Sequence, residues 1–306
     1  MKFIITGDLH LRASNPENRI DNFFETQLNK IEQIFQMAVE NKCEAILCPG
    51  DVFDNPRPSF DVLEYYIKLF KKYHINCDGG IQFLTVWGQH DQRFRTHDRT
   101  ALKLMESLGY MKTFKKISIT DDIDFYGCDY GDEIPNIENE DNINILLIHK
   151  TILDKKLIWQ EDCLLTDKVF KKYEYDLVVC GDYHFPSFYE YKHRIIVNAG
   201  CIVRKTVVEA DIKPSLYILN IDEKLLTYTL KRIELEYEPA DKVFRPEALS
   251  KEVVKENKKL QEFIESIKNN EIATSLDFKK NLETMIKNSD KEVKDIILKS
   301  LEEINE

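Results

Sequence analysis

A short apolar run, a stop at Gly, Asp or His, and then a helical stretch recur through the first two-thirds of this chain. The apolar runs are Phe3–Thr6, Ala45–Cys48, Ile81–Trp87, Ile143–Ile148, Asp176–Cys180 and Arg194–Val197. They are rich in Ile, Val, Leu and Phe, as buried strands are. Helical patterns separate the first three, at Ile20–Asn41 and Ser59–Tyr73. In the first of these, Phe23, Phe24, Leu28, Ile31, Ile34, Phe35 and Ala38 recur with helical period. Such a β-α-β-α-β opening implies a sheet with right-handed crossovers. Hairpins follow, pairing Ile117–Thr120 with Ile123–Cys128 and Leu216–Asn220 with Leu225–Ile233. The expected class is α/β: a two-sheet β-sandwich flanked by helices, with a C-terminal helical segment.

The division expected is a catalytic domain over residues 1–240 and a helical tail over 241–306, where glycine disappears. In the tail, amphipathic helices are expected at Glu247–Lys268, from Ser275-Leu276-Asp277-Phe278, and from about Asp290. The hydrophobic share, 43% of 306 residues, is enough for a proper core. No stretch reaches the roughly 18 apolar residues of a membrane span. Met1-Lys2 leads straight into an apolar run, as expected of a chain without a secretory leader. The seven cysteines form no CxxC pair, and Cys43, Cys48, Cys128 and Cys180 lie in or beside apolar runs. Reduced core thiols in a cytoplasmic protein are the expectation.

The polar residues that end the runs share one chemistry. Asp8 and His10 follow the first in Gly7-Asp8-Leu9-His10. Asp51 and Asp54 follow the second in Gly50-Asp51-Val52-Phe53-Asp54. Gly88-Gln89-His90-Asp91 follows the third, His149 closes the fourth, and Asp182 and His184 follow the fifth in Gly181-Asp182-Tyr183-His184. In open α/β sheets ligands bind outside the carboxyl ends of the strands, so these ends are expected to share a crevice. Hard oxygen and imidazole donors, with a carboxylate able to bridge, suit a pair of divalent cations. Singly, a Gly-Asp is a turn and a His an ordinary histidine; their order and context carry the argument. His74, His97 and His193 lack that context.

Read together, Asp-x-His, Gly-Asp-x-x-Asp, Gly-x-His-Asp, a lone His and Gly-x-x-His resemble the ordered signature of calcineurin-like metallophosphoesterases. Asp8-Leu9-His10-Leu11-Arg12, Gly50-Asp51-Val52-Phe53-Asp54 and Val197-Asn198-Ala199-Gly200-Cys201-Ile202-Val203-Arg204 are similar to the SbcD-type nuclease subunits of DNA break processing, phage-type members above all. The resemblance covers about residues 1–235. It implies that Asp8, His10, Asp51 and His184 hold one cation, and that Asp51 bridges to a second completed by Gln89, His149 and Asp182. It implies that His90 faces the scissile phosphate and that Asp54 orients its imidazole. Manganese is the implied metal, with magnesium as the alternative. Two positions depart from the family's usual pattern: Gly-Asn-His-Asp reads Gly88-Gln89-His90-Asp91, and Gly-His-x-His reads Gly181-Asp182-Tyr183-His184. Each replacement still offers an oxygen ligand.

The reading that follows is a two-metal DNA nuclease subunit. The resemblance implies an SbcC-like coiled-coil ATPase docked on residues 276–304, and a homodimer formed through Ser59–Tyr73 and Asp98–Leu108. An apolar stripe of Leu63, Tyr66, Ile67 and Phe70 lies on the first of these, and it suits packing on the chain's own sheet nearly as well. The net charge of -11 argues against a freestanding nonspecific DNA binder, so part of the DNA affinity is expected from a partner. The alternatives are a stand-alone phosphodiesterase or phosphatase for small molecules, and a non-catalytic scaffold degraded at Gln89 and Asp182.

Overall fold

A computed structural model describes residues 1–76, 78–156 and 163–250. Its strands are β1 (Lys2–Ile5), β2 (Ala45–Cys48), β3 (Gln82–Thr85), β4 (Lys112–Thr113), β5 (Lys116–Thr120), β6 (Ile123–Cys128), β7 (Ile143–Ile148), β8 (Ile152–Leu153), β9 (Leu164–Leu165), β10 (Leu177–Cys180), β11 (Ser187–Tyr191), β12 (Arg194–Asn198), β13 (Ser215–Asp222) and β14 (Thr227–Glu234). The helices are α1 (Phe23–Glu40), α2 (Phe60–Lys72), α3 (Ala101–Ser107), α4 (Thr166–Lys172) and α5 (Ala240–Val243).

Two six-stranded sheets form, in the orders β14-β13-β1-β2-β3-β4 and β11-β12-β10-β7-β6-β5. In the first, β1 to β4 are parallel, while β13 and β14 add antiparallel. In the second, β12, β10, β7 and β6 are parallel between antiparallel β11 and β5. The parallel strands that carry the site motifs therefore all open at their carboxyl ends.

Alternate residues of the central strands serve two cores. Phe3, Ile5, Leu47 and Leu84 of the first sheet meet Phe125, Ile145, Leu147 and Val179 of the second. From the other face of the first sheet, Ile4, Ile46 and Phe83 pack with Ile31, Ile34 and Phe35 of α1 and Tyr66 and Phe70 of α2. Beyond the second sheet, Leu146, Ile148 and Val178 pack with Val169 of α4. This double burial is why the strands read as continuous apolar runs.

The expected helix at Ile20–Asn41 starts later, at Phe23, because the Asn22 side chain caps it by accepting from the Glu25 N–H at 3.2 Å. The stripe on α2 faces inward: Leu63, Tyr66 and Phe70 are buried in the core, so it is not free for self-association. The exposed apolar residues of α2 and α3 are instead Phe60, Tyr65 and Leu104. Strands β11 and β12 form a hairpin of which only the second strand was expected. Among the described residues six cysteines are buried free thiols: Cys43, Cys48, Cys128, Cys163, Cys180 and Cys201. Among the described residues no helix is long and apolar enough to cross a membrane. Residues 240–250 hold α5 and a 3-10 turn at Pro246–Leu249; Val243, Phe244 and Ala248 pack with Val207. The start of the first expected tail helix, Glu247–Ser250, is this 3-10 turn ending in extended Ser250; the rest of the expected tail helices lie outside the described residues.

A buried polar residue on the core side of α1 braces the first site loop. The Gln27 amide nitrogen donates to the His10 carbonyl at 2.8 Å, and its oxygen accepts the Arg12 N–H at 3.1 Å. Gln27→Leu keeps the bulk but leaves those backbone groups unpaired. It should cost about 1–3 kcal/mol of stability, read from urea unfolding. An unchanged midpoint would mean that the loop needs no brace.

Candidate metal centre

The five strand ends converge. Loops after β1, β2 and β3 bring Asp8, His10, Asp51, Gln89 and His90 from the first sheet, and loops after β7 and β10 bring His149, Asp182 and His184 from the second. Three of these residues, His10 (φ 46°), Asp51 (φ 46°) and Asp182 (φ 71°), occupy the left-handed region. Side chains with a Cβ are rarely held there, and such strain clusters at functional sites at about 1–3 kcal/mol per residue. Two glycines let the Asp51 and Asp8 carboxylates sit tight against the backbone. A Cβ on Gly88 would lie 2.0 Å from Asp51 Oδ1, and one on Gly181 would lie 2.4 Å from Asp8 Oδ1.

Donor atoms gather in overlapping triads, each within 4.8 Å: Asp8, His10 and His184; His10, Asp51 and His90; Asp8, Asp51 and His149. Asp51 Oδ2 lies 3.4 Å from His149 Nε2 and 3.7 Å from His10 Nε2, between the two sides of the crevice. Gln89 and Asp182, the two departures from the usual motif, bond to one another. The Gln89 amide nitrogen donates to Asp182 Oδ1 at 2.8 Å, while Gln89 Oε1 faces His149 Nε2 at 3.1 Å. Thr151 donates to the other Asp182 oxygen at 2.7 Å.

The tautomers are set from outside the crevice. His149 Nδ1 donates to the Pro49 carbonyl at 2.7 Å, His90 Nδ1 to the Asp54 carbonyl at 2.9 Å, and His184 Nδ1 to the Glu209 carboxylate at 3.1 Å. A carbonyl can only accept, so His149 and His90 carry a proton on Nδ1, and Nε2 is the ring atom left facing the crevice. His184 Nε2 and His10 Nε2 stand 3.0 Å apart, and the buried Asp8 Oδ1 has no hydrogen-bond partner. Inward-facing imidazole nitrogens and an unsatisfied carboxylate oxygen are a donor set shaped for cations. The residues therefore fit a divalent metal pair.

Electrostatics agree. Burial, reinforced by the positive Lys205 and by neighbouring histidines, holds His10 well below the ordinary imidazole range, so it stays a neutral donor. Burial works to lower His149, but Asp51, Asp8 and Asp182 carry it well above that range. The field in the crevice is strongly negative, as a cation site requires.

Every expected ligand is brought into this crevice. Asp54 touches His90 through its main-chain carbonyl rather than its carboxylate. That carboxylate pairs with Arg12 at 2.9 Å and Lys205 at 3.3 Å, and lies 3.6 Å from His10 Nδ1. Asp91 was legible only as the last residue of the third motif, without a role, and Glu209 was not anticipated. Buried Asp91 accepts the N–H groups of Val52, Phe53 and Gly88, locking the second motif loop to the third. Buried Glu209 fixes His184, and its only signal in the chain is a capping box with Thr206.

The fold and this crevice define a metal-dependent phosphoesterase. Residues 1–186 match the calcineurin-like phosphoesterase family, and the chain belongs to it. The chain is similar to the double-strand break repair protein MRE11 of Encephalitozoon cuniculi, with 27% identity over 146 residues, 41% of this chain and 25% of that protein. It is also similar to the DNA double-strand break repair protein Mre11 of Methanosarcina mazei, with 25% identity over 201 residues, 60% of this chain and 30% of that protein. The matches thus span under a third of those relatives' length. Among solved structures, an archaeal phosphodiesterase aligns with a TM-score of 0.40 and 16% identity, covering 76% of this chain and all of the other.

The outer bond to His184 yields a test. Glu209→Gln keeps the shape but removes the charge that holds Nδ1–H, and should weaken divalent-cation binding about 10–100-fold by calorimetry. Unaltered affinity would show that His184 is positioned by packing alone.

Proposed function

We propose that this chain is a DNA phosphodiesterase, the nuclease subunit of an SbcCD-like assembly, working with two divalent cations, manganese foremost. The observation that carries the catalytic part is the shared place of Asp51, with His10 and His184 on one side and His149, Gln89 and Asp182 on the other. The similarity to Mre11 proteins supports DNA as the substrate.

Bound there, the cations would grip the phosphate and make a bound water acidic enough to serve as nucleophile. Asp8, His10, Asp51 and His184 would hold one, and Asp51, Gln89, His149 and Asp182 the other. His90 is half-buried, with Nδ1 tied to the Asp54 carbonyl, and its Nε2 would face substrate. In its protonated form it would give its Nε2 proton to the leaving oxygen. Because His90 also lies within reach of His10 and Asp51, its role separates from a ligand role only by measurement.

Asp51→Ala should remove hydrolysis of both single-stranded DNA and bis-p-nitrophenyl phosphate, and chelator should do the same to the parent. His90→Ala should lose about 10²–10⁴-fold in rate while calorimetry still counts two cations. Activity surviving in Asp51→Ala would sink the two-cation reading, and a cation lost from His90→Ala would make His90 a ligand. Hydrolysis of bis-p-nitrophenyl phosphate without any cleavage of DNA would point to a small-molecule phosphodiesterase.

The partner reading concerns residues 276–304, where Leu282, Met285, Ile286, Val293, Ile296, Ile297 and Leu301 are spaced as helix anchors for a groove. Deleting 276–304 should spare cleavage of short single strands and abolish co-purification with a coiled-coil ATPase. Full recovery of the ATPase with the truncated chain would move the docking site elsewhere.

A further inference from the structure

Four residues beyond His90, the chain makes a turn that its own packing does not explain. Arg93 and Thr96 exchange both backbone hydrogen bonds at 2.9 Å, closing a two-residue hairpin on Phe94 and Arg95. Both central residues are left-handed, Phe94 at φ 49° and Arg95 at φ 58°. Asn-Gly or Asp-Gly is what such a turn favours, because a Cβ there is strained. The Phe94 side chain is 87% exposed at the tip. The turn thus bears backbone strain to display an aromatic ring in water.

The base of the loop is rigid. His97 stacks on buried Trp87, with ring centroids 4.0 Å apart and planes 4° apart. Thr100 Oγ1 donates to the His97 carbonyl at 2.8 Å, and Arg57 Nε donates to the Arg99 carbonyl at 3.2 Å. Arg93 places its guanidinium 5.2 Å from the Phe94 ring centroid, steadying the ring by a cation–π contact. A ring held in advance loses little freedom when something stacks on it.

Charge narrows the occupant. In a chain of net charge -11, residues 92–99 carry Arg93, Arg95 and Arg99 against only Asp98, with Arg57 alongside. Four residues of chain reach at most about 14 Å, roughly four stacked nucleotide rises from His90. An aromatic ring among arginines beside a phosphodiester site suits a base and its backbone. Every base has a π face, and the phosphates on either side are anions.

We propose that Phe94, flanked by Arg93 and Arg95, is a stacking wedge that receives an unpaired base of the DNA strand entering the metal centre. This rests on the DNA phosphodiesterase reading above and names how that site takes hold of a single-stranded or frayed end. A wedge of this kind favours unpaired over fully paired substrate, because only an unstacked base offers the ring a face.

The test compares two substrates of the full chain with manganese: a short single-stranded oligonucleotide and bis-p-nitrophenyl phosphate, which is too small to span the loop. In Phe94→Ala the ratio of kcat/KM for the oligonucleotide to that for the small ester should fall about tenfold, with the change in the oligonucleotide KM. Tenfold corresponds to about 1.4 kcal/mol of lost stacking. Phe94→Leu should fall as far, and Phe94→Trp should restore the ratio. A phosphorothioate strand carrying 2-aminopurine should be quenched on binding the parent and not on binding Phe94→Ala. An unchanged ratio and unchanged quenching in Phe94→Ala would overturn the wedge while leaving the nuclease reading intact. Equal losses on both substrates would make Phe94 a structural residue of the loop, and full function in Phe94→Leu would make it a plain apolar contact. Conversion of a dimer to a monomer by Phe94→Ala, seen by light scattering, would assign the ring to a second copy of the chain. If the parent hydrolyses the small ester but neither binds nor cuts the strand, the nuclease reading fails and the wedge with it.

Discussion

The Asp51 carboxylate is the joint on which the crevice depends. Its Oδ1 accepts the His90 N–H at 2.9 Å, and its Oδ2 meets His149 at 3.4 Å and His10 at 3.7 Å. Those contacts tie the ends of β1, β2 and β3 in one sheet to the end of β7 in the other. Burial alone would drive this carboxyl towards its neutral form, but His149 and the His90 contacts outweigh burial and hold it ionised, near 2. A carboxylate kept charged and 1% exposed needs compensating partners, and His149 and the His90 N–H supply them.

The imidazoles around Asp51 are oriented by groups standing behind them. Pro49, Asp54 and Glu209 each accept a hydrogen bond from an Nδ1–H, and each belongs to a different loop from the imidazole it holds. Orientation of one loop is therefore imposed by another. Asp91 and Gln27 do the same for backbone, by accepting and donating where the loops would otherwise leave polar groups unpaired. The strained dihedrals of His10, Asp51 and Asp182 are tolerable because the strands beneath are packed on both faces and cannot shift to relieve them.

Much of this was legible in the chain. The five motif-bearing runs became parallel strands, and the residues following them became the crevice, because a buried strand must end in a polar turn and such turns are where ligands sit. Helix limits moved by a few residues where a cap decided them, as Asn22 does for α1. The α2 stripe could not be assigned from its period, since helical spacing says that a face is apolar and not what covers it. Here the chain's own sheet covers it.

The sequence by itself determined which residues end the strands, and with them the donor chemistry and the family to which the chain belongs. Those features are local, set by the order of apolar and polar residues over a few positions. Only the tertiary structure decided that Gln89 bonds to Asp182 from 93 residues away. The same holds for Glu209, which turns His184 from a helical turn of its own, and for the main-chain oxygen rather than the carboxylate of Asp54, which meets His90. Such pairings depend on which loops the two sheets bring face to face. No spacing along a chain encodes that, because it emerges only when the sheets pack through their shared core.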